Sequence, residues 1–93
     1  MSRKVWYVFQ GGESSERFDL LIGQTGIRSE NQINALRDHL VRGMSLEDAC
    51  SHRDIKNKSN LERDLLKVNE IAEFVVKIED LDWIRYNVTR KEK

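Results

Sequence analysis

The chain has 93 residues, of which 39% are hydrophobic, and its 16 basic residues balance its 16 acidic ones. This length fits one small domain, residues 1–93, whose modest core would gain stability from a partner subunit. No apolar run approaches the roughly 20 residues that cross a bilayer, and the apolar run at residues 5–9 is too short for a signal peptide. Composition therefore argues against a membrane protein and predicts a soluble protein of the cytoplasm.

The charges are unevenly distributed along the chain. Residues 1–4, 52–67 and 83–93 carry net charges of +2, +2 and +3, whereas residues 68–82 carry −4. A neutral protein can still present a positive face to nucleic acid if its fold gathers the basic segments together. A net charge of zero therefore does not exclude DNA binding.

Residues 1–12 are expected to form an arm ahead of the helical part of the chain. The run VWYVF at residues 5–9 is aromatic and β-branched and stops at Gly11 and Gly12, which favours a short strand or an extended arm. Residues 83–88, WIRYNV, alternate weakly, so they predict either a strand that pairs with residues 5–9 or one more short helix. These two aromatic segments either pack on each other within one chain or contact a second subunit.

Three short helices are expected between residues 14 and 53, because each of three apolar stripes follows a serine. A serine hydroxyl just before a helix accepts a hydrogen bond from a free amide of the first turn. The serines are Ser14 and Ser15 for the first helix, Ser29 for the second and Ser45 for the third. Gly23 should end the first helix and Gly43 the second, and the third helix should cover residues 46–52.

The longest helix is expected to start at about residue 58. Its apolar residues recur at spacings of four, three, four and three, which keeps one face apolar over several turns. They are Leu61, Leu65, Val68, Ala72 and Val75. The Asp-Leu-Asp sequence at residues 80–82 favours a break, after which residues 83–93 form a C-terminal extension. The whole pattern predicts a mainly α-helical fold with its core at residues 14–78.

The second, third and fourth helices have the proportions of a helix-turn-helix, in which the start of the last helix faces a DNA groove. Ala49 is small enough for two crossing helices to approach each other, and Ile55 can plug the turn. The residues predicted to contact DNA are Lys56, Asn57, Lys58, Ser59, Asn60, Arg63 and Lys67. Lysine and arginine pair with phosphates, and asparagine can make paired hydrogen bonds to adenine. The alternative interpretation is an ordinary solvated helix start, where the same residue types are common.

Four segments of the chain follow the pattern of a known family. They are FDLLIG at residues 18–23, ALRDHLVRG at 35–43, SLEDAC at 45–50 and LLKVNEIA at 65–72. Over residues 14–76 the chain thus resembles the PapB-type regulators of adhesin and fimbria biosynthesis. The resemblance implies a bacterial transcription regulator, helical and oligomeric, that binds AT-rich double-stranded DNA with a preference for the minor groove. It also implies that residues 56–63 face the DNA.

The sequence contains no pattern typical of an enzyme or a metal site. His39 and His52 are thirteen residues apart and lack the companion ligands of a zinc site. A glycine-rich phosphate loop and a nucleophile elbow are both missing. The single cysteine, Cys50, is expected to be buried. We therefore expect no metal, cofactor, small-molecule substrate or catalytic activity.

Taken together, these patterns predict a transcription regulator that binds DNA cooperatively as a homodimer or a higher homo-oligomer. Each monomer offers few positive charges, so repeated DNA sites and side-by-side assembly would be needed for useful affinity. The alternative is a helical adaptor or anti-regulator that binds a protein partner and not DNA. Acidic residues 54, 62 and 64 are interleaved with the basic ones. DNA binding requires a continuous positive face here, whereas the adaptor hypothesis requires acidic residues that neutralise it.

Overall fold

The computed structural model describes residues 5–91, with side chains described through residue 85, and these residues form four α-helices. The helices are α1 (Ser15–Thr25), α2 (Glu30–Leu40), α3 (Leu46–His52) and α4 (Lys58–Lys91). The predicted mainly α-helical fold is confirmed. The basic residues 90–93 of the predicted C-terminal extension lie outside the described side chains.

The three short helices begin where the serine caps predicted. The hydroxyls of Ser14, Ser29 and Ser45 accept hydrogen bonds from amides three residues further on, at 3.1, 3.4 and 3.1 Å. The predicted end of α1 at Gly23 is wrong, because the helix continues to Thr25 and ends at Gly26, whose φ of +78° suits glycine. Gly23 lies inside the helix, and its backbone leaves open space where a Cβ would be.

The core lies between α4 and the three short helices. α2, α3 and the first part of α4 contact one another, and α1 packs against α2 and α4. Its largest fully buried apolar side chains are Phe18, Leu36, Leu40, Leu61 and Val68. Cys50 is buried as predicted, and this burial raises the pKa of its thiol. Burial of this continuous apolar set fixes how α3 and α4 are presented to solvent.

The arm packs on the helices without forming a strand, so of the two alternatives predicted for residues 5–9, a short strand or an extended arm, the strand is wrong. Its partner is Asn69 in the middle of α4, which is almost fully buried. The side chain of Asn69 accepts a hydrogen bond from the Tyr7 amide at 2.6 Å and donates one to the Val5 carbonyl at 3.2 Å. An edge strand at residues 83–88 does not exist in the described backbone, because that segment is helical. A side-chain amide therefore replaces the backbone ladder that the arm would need as a strand.

The next residues of the chain hold the arm against the end of α2. The amides of Gly11 and Glu13 donate to the carbonyls of His39 and Leu40, both at 3.0 Å. These bonds satisfy carbonyls that have no partner within the helix. Gly11 has φ +69°, and a Cβ there would lie 3.1 Å from the Cα of Gly43, so this close approach requires glycine.

α4 is one continuous helix of 34 residues. The predicted break at residues 80–82 is therefore wrong, and residues 83–88 continue the same helix. Neither aspartate nor leucine removes a backbone hydrogen bond as proline does, so the Asp-Leu-Asp sequence does not interrupt the ladder. Every described side chain from Lys77 to Arg85 is exposed.

Candidate nucleic-acid interface

The arrangement of α2, α3 and the start of α4 is that of a three-helix unit around a short turn. α3 packs against both α2 and α4, and Ala49 is fully buried at this contact. Ile55, in the turn, packs against the core while it remains half-exposed. Both residues therefore occupy the places that the helix-turn-helix interpretation gave them.

The turn after α3 is set by a left-handed residue that is not glycine. Asp54 has φ +55°, and the amides of Asp54 and Ile55 donate to the carbonyls of Ser51 and Cys50 at 3.3 and 2.8 Å. This pair of hydrogen bonds is a Schellman motif, which ends a helix sharply and satisfies its last carbonyls. Aspartate tolerates the left-handed region better than most residues, so the turn forms without the glycine usually found there.

A buried ion-pair cluster fastens the turn to α2. The carboxylate of Asp38 is fully buried and accepts two hydrogen bonds from Arg53, from Nε at 2.8 Å and from Nη2 at 3.2 Å. Arg42 donates a third, from Nη1 at 3.3 Å. In addition, the side-chain amide of Asn31 donates to the Arg53 carbonyl at 3.2 Å. These contacts fix the C-terminal end of α3, and with it the direction of the turn.

The electrostatics of this cluster favour the charged pair. The hydrogen bond from Arg53 is the main cause that holds the pKa of Asp38 below its ordinary value, against the opposing effect of burial. The same bond raises the pKa of Arg53. Both groups are therefore ionised at neutral pH, and the Nε and Nη2 groups of Arg53 are engaged within the fold.

The predicted DNA-facing residues come together at the start of α4. Asn57 caps the helix, since its side-chain oxygen accepts the Ser59 amide at 3.0 Å. Ser59 is exposed beside it, and Lys56 precedes them in the turn, also exposed. Lys58 lies 3.6 Å from the carboxylate of Glu47 on α3, measured from Nζ to Oε2. An acidic residue of the neighbouring helix thus offsets part of the positive charge of this edge.

The remaining predicted residues continue along one exposed face of α4, at helical spacings of three and four. Arg63 donates to the side-chain oxygen of Asn60, one turn before it. Lys67 pairs with Asp64, with 3.8 Å between Nζ and Oδ1. Two of the four predicted basic residues, Lys58 and Lys67, therefore have a carboxylate partner. In the part of the chain that the structure describes, Lys56 and Arg63 have none.

An open groove of about 460 Å³ runs between the start of α2 and the start of α4. Its lining residues are polar or charged except Ile55, and they include Lys56, Asn57 and Asn60 from the predicted set, together with Gln32 of α2 and Asp54 of the turn. The side-chain oxygen of Gln32 is shielded from solvent and accepts no hydrogen bond within the described residues. The groove therefore combines amide groups that can donate and accept hydrogen bonds with one positive charge, at Lys56, and one negative charge, at Asp54.

Sequence reasoning missed the residues that hold this edge in place. Asp38 and Arg53 are 15 positions apart, so no local spacing pairs them. Asn31 and Gln32 lie in the first turn of α2, and no pattern in the sequence distinguishes them as part of a site. Asp38 is two residues from both Leu36 and Leu40, which places it on the opposite side of α2 from this core face, so the sequence pattern gives no signal that it is buried.

Neither a metal-binding cluster nor a membrane-spanning helix is found among the described residues. They contain no group of three or more His, Cys, Asp or Glu side chains that could hold a metal ion. None of the described helices is both long and apolar enough to cross a bilayer.

Comparison with known proteins identifies the family. The family of adhesin biosynthesis transcription regulatory proteins, PapB, matches residues 1–81. Among solved structures, E. coli FocB aligns with a TM-score of 0.74 and 30% identity, and the alignment covers 80% of this chain and 83% of FocB. A search of curated proteins gave no match. The chain therefore belongs to the PapB family of adhesin biosynthesis regulators and is a transcription regulator, not an enzyme.

Proposed function

We propose that this regulator binds double-stranded DNA in the bacterial cytoplasm through the turn after α3 and the first turns of α4. The observation that carries the proposal is the polar, basic edge at Lys56, Asn57, Asn60 and Arg63, which borders an open groove in a three-helix unit. Basic side chains and the free amides of a helix start both bind phosphate favourably. We assign to Lys56 and Arg63 the main phosphate contacts, with Lys58, Ser59 and Lys67 as further contacts on the same edge.

The charges at this edge predict weak binding by one copy. Because Glu47 and Asp64 offset Lys58 and Lys67, one monomer neutralises few phosphates, and affinity rises with the number of phosphates neutralised. We propose that useful affinity comes from several copies bound side by side on fimbrial operator DNA. We extend to this chain the preference for AT-rich DNA and for the minor groove that the family resemblance implies.

The test is a gel-shift titration of the full chain against AT-rich and GC-rich duplexes at two salt concentrations. Salt-sensitive, stepwise shifts that favour the AT-rich duplex are expected. Lys56→Ala and Arg63→Ala should each weaken binding and lower the slope of log affinity against log salt by about 1. Lys77→Ala is the matched control, because it removes the same charge from α4 about 20 Å along the helix from Arg63.

Glu47→Gln should change DNA affinity in the direction opposite to Lys56→Ala and Arg63→Ala. Glu47 is exposed and pairs with Lys58, so its neutralisation frees that lysine and should tighten DNA binding without unfolding the protein. A folded protein that shifts no duplex at low salt would overturn direct DNA binding. In that case, the regulator would act as an adaptor that binds another protein.

A further inference from the structure

The groove between the starts of α2 and α4 contains a side-chain amide oxygen that the fold does not use. Gln32 lies in the first turn of α2, is half-buried and lines this groove. Its Oε1 atom is shielded from solvent and accepts no hydrogen bond within the described residues. A buried acceptor without a partner destabilises a fold, so its presence calls for an explanation.

The ordinary structural role of a glutamine at this position is only half filled. Gln32 is the third residue after the cap residue Ser29, and from there a glutamine side chain can accept the backbone amide of the cap. The Gln32 amide does donate to Ser29 Oγ, at 3.4 Å. The reciprocal bond would need Oε1 as its acceptor, and Oε1 accepts none. Capping of α2 therefore uses the backbone of Gln32 and leaves its side-chain oxygen unused.

The other amide side chains of the groove lining are engaged within the fold. Asn57 and Asn60 both use their side-chain oxygens in the first turns of α4. Asn31 uses its side-chain nitrogen to hold the end of α3. A rotation of Gln32 into the groove breaks no hydrogen bond of Oε1, whereas Asn57 and Asn60 would each lose one. Gln32 is therefore the amide of this lining whose oxygen can turn to a ligand with the least loss of internal hydrogen bonds.

An unused oxygen selects which part of a DNA duplex it can contact. Phosphate oxygens offer no proton, so the DNA backbone cannot satisfy it. The exocyclic amino groups of the bases do donate hydrogen bonds in the grooves. In AT-rich DNA this donor is N6 of adenine, which lies beside the acceptor N7 in the major groove, and a glutamine amide matches both atoms at once.

We propose that Gln32 turns into the groove and reads the major-groove edge of an adenine. Oε1 accepts a hydrogen bond from N6, and Nε2 donates one to N7. Lys56 and Arg63 bind phosphates on the same edge, and Gln32 adds the preference for sequence. This inference deepens the proposed function and rests on it for DNA binding itself. It differs from the proposed minor-groove preference in the groove that this one side chain reads.

Gln32→Met tests the contact, because methionine keeps the length of the side chain and removes both polar groups. In fluorescence anisotropy titrations of the full chain, the variant should bind an AT-rich duplex about 10-fold more weakly and a GC-rich duplex as the wild type does. The slope of log affinity against log salt should not change, because no phosphate contact is lost. The melting temperature should be equal or higher, because Oε1 has no partner in the fold. Gln24→Met is the matched control: Gln24 is exposed on α1, and its substitution should leave both affinities unchanged.

The groove is tested with an AT-rich duplex in which 7-deazaadenine replaces adenine, so that a C–H group stands in place of N7. The wild type should bind this duplex about 5-fold more weakly than the unmodified one, since one of the two hydrogen bonds is lost. Gln32→Met should bind the two duplexes equally.

Three results would overturn the inference alone: equal binding of both AT-rich duplexes by the wild type, an unchanged AT preference in Gln32→Met, or a lower melting temperature of this variant with equal weakening on AT-rich and GC-rich DNA. The last result would show that Gln32 acts only through the fold. A folded wild-type protein that binds no duplex would overturn the proposed function and this inference together.

Discussion

Replacement of Arg53 by methionine tests whether the buried cluster at Asp38 fixes the turn after α3. The variant removes two of the three side-chain hydrogen bonds to a carboxylate that has no exposed surface, and it leaves only Arg42, at 3.3 Å. Loss of one partner from a fully buried pair costs about 3–5 kcal/mol. Because Arg42 remains and the Arg53 side chain is itself 25% exposed, we expect a loss of about 2–3 kcal/mol in the free energy of unfolding.

Arg42→Met is the matched control for this variant. Arg42 contacts the same carboxylate, but its side chain is 58% exposed, so its contribution should stay below about 1 kcal/mol. Urea unfolding followed by circular dichroism measures the free energy of unfolding of both variants. An unchanged slope of this free energy against urea concentration shows that the same transition is compared. Equal losses in the two variants would refute the idea that Arg53 is the principal partner.

The pH dependence separates the ion pair from simple packing. Because Arg53 holds the pKa of Asp38 below its ordinary value of 3.8, the pair stabilises the fold above about pH 4, and this stabilisation is lost as the pH falls through the lowered pKa. In Arg53→Met, burial opposes ionisation of Asp38 with less compensation. The stability difference between wild type and variant should therefore be largest near pH 7 and smaller at pH 3. A difference that does not change with pH would show that the arginine acts only through packing.

Two further predictions concern the glycine inside α1 and the turn after α3. Gly23→Ala should raise the free energy of unfolding by about 0.5–1 kcal/mol, because the position is helical and leaves open space for a Cβ; a lower melting temperature would contradict this. Asp54→Ala should lower the free energy of unfolding by about 1 kcal/mol, since alanine is disfavoured at φ +55°. Asp54→Gly, which accepts that backbone angle, should be neutral or stabilising, and an equal loss in both variants would refute the role given to the turn.

The helix starts were predictable because their signals are local. A serine before an apolar stripe needs only the next three amides to act as a cap, and these amides are always within reach. Ser14, Ser29 and Ser45 therefore marked α1, α2 and α3 from the sequence alone. The spacing of the apolar residues likewise predicted the buried face of α4.

The helix ends were less predictable because they depend on the rest of the fold. Gly23 has no proline or left-handed residue beside it that would stop the helix, and the packing of α1 on α4 carries the helix through to Thr25. Asp80 and Asp82 likewise do not interrupt α4, because aspartate keeps its backbone hydrogen bond. The arm posed the same difficulty, since a buried side-chain amide at Asn69 satisfies its backbone, and no β-pattern signals such a contact.

The candidate site was predictable in position but not in charge. Residues 56–60 follow one another in the sequence, so any fold with a helix from residue 58 brings them to one edge. The partners of Lys58 and Lys67 depend on side-chain geometry, and for Lys58 on the crossing of α3 over α4. Sequence alone gives the number of basic residues, whereas the structure gives the number that no carboxylate offsets.

That distinction links DNA affinity to self-association. If Lys56 and Arg63 carry most of the phosphate binding, the affinity of one copy falls with salt at a slope of only about 2. Two copies bound side by side would contribute their contacts together, and the second contact would gain from a high effective concentration. Lys56→Ala should in that case weaken each binding step and leave the cooperative steps in place.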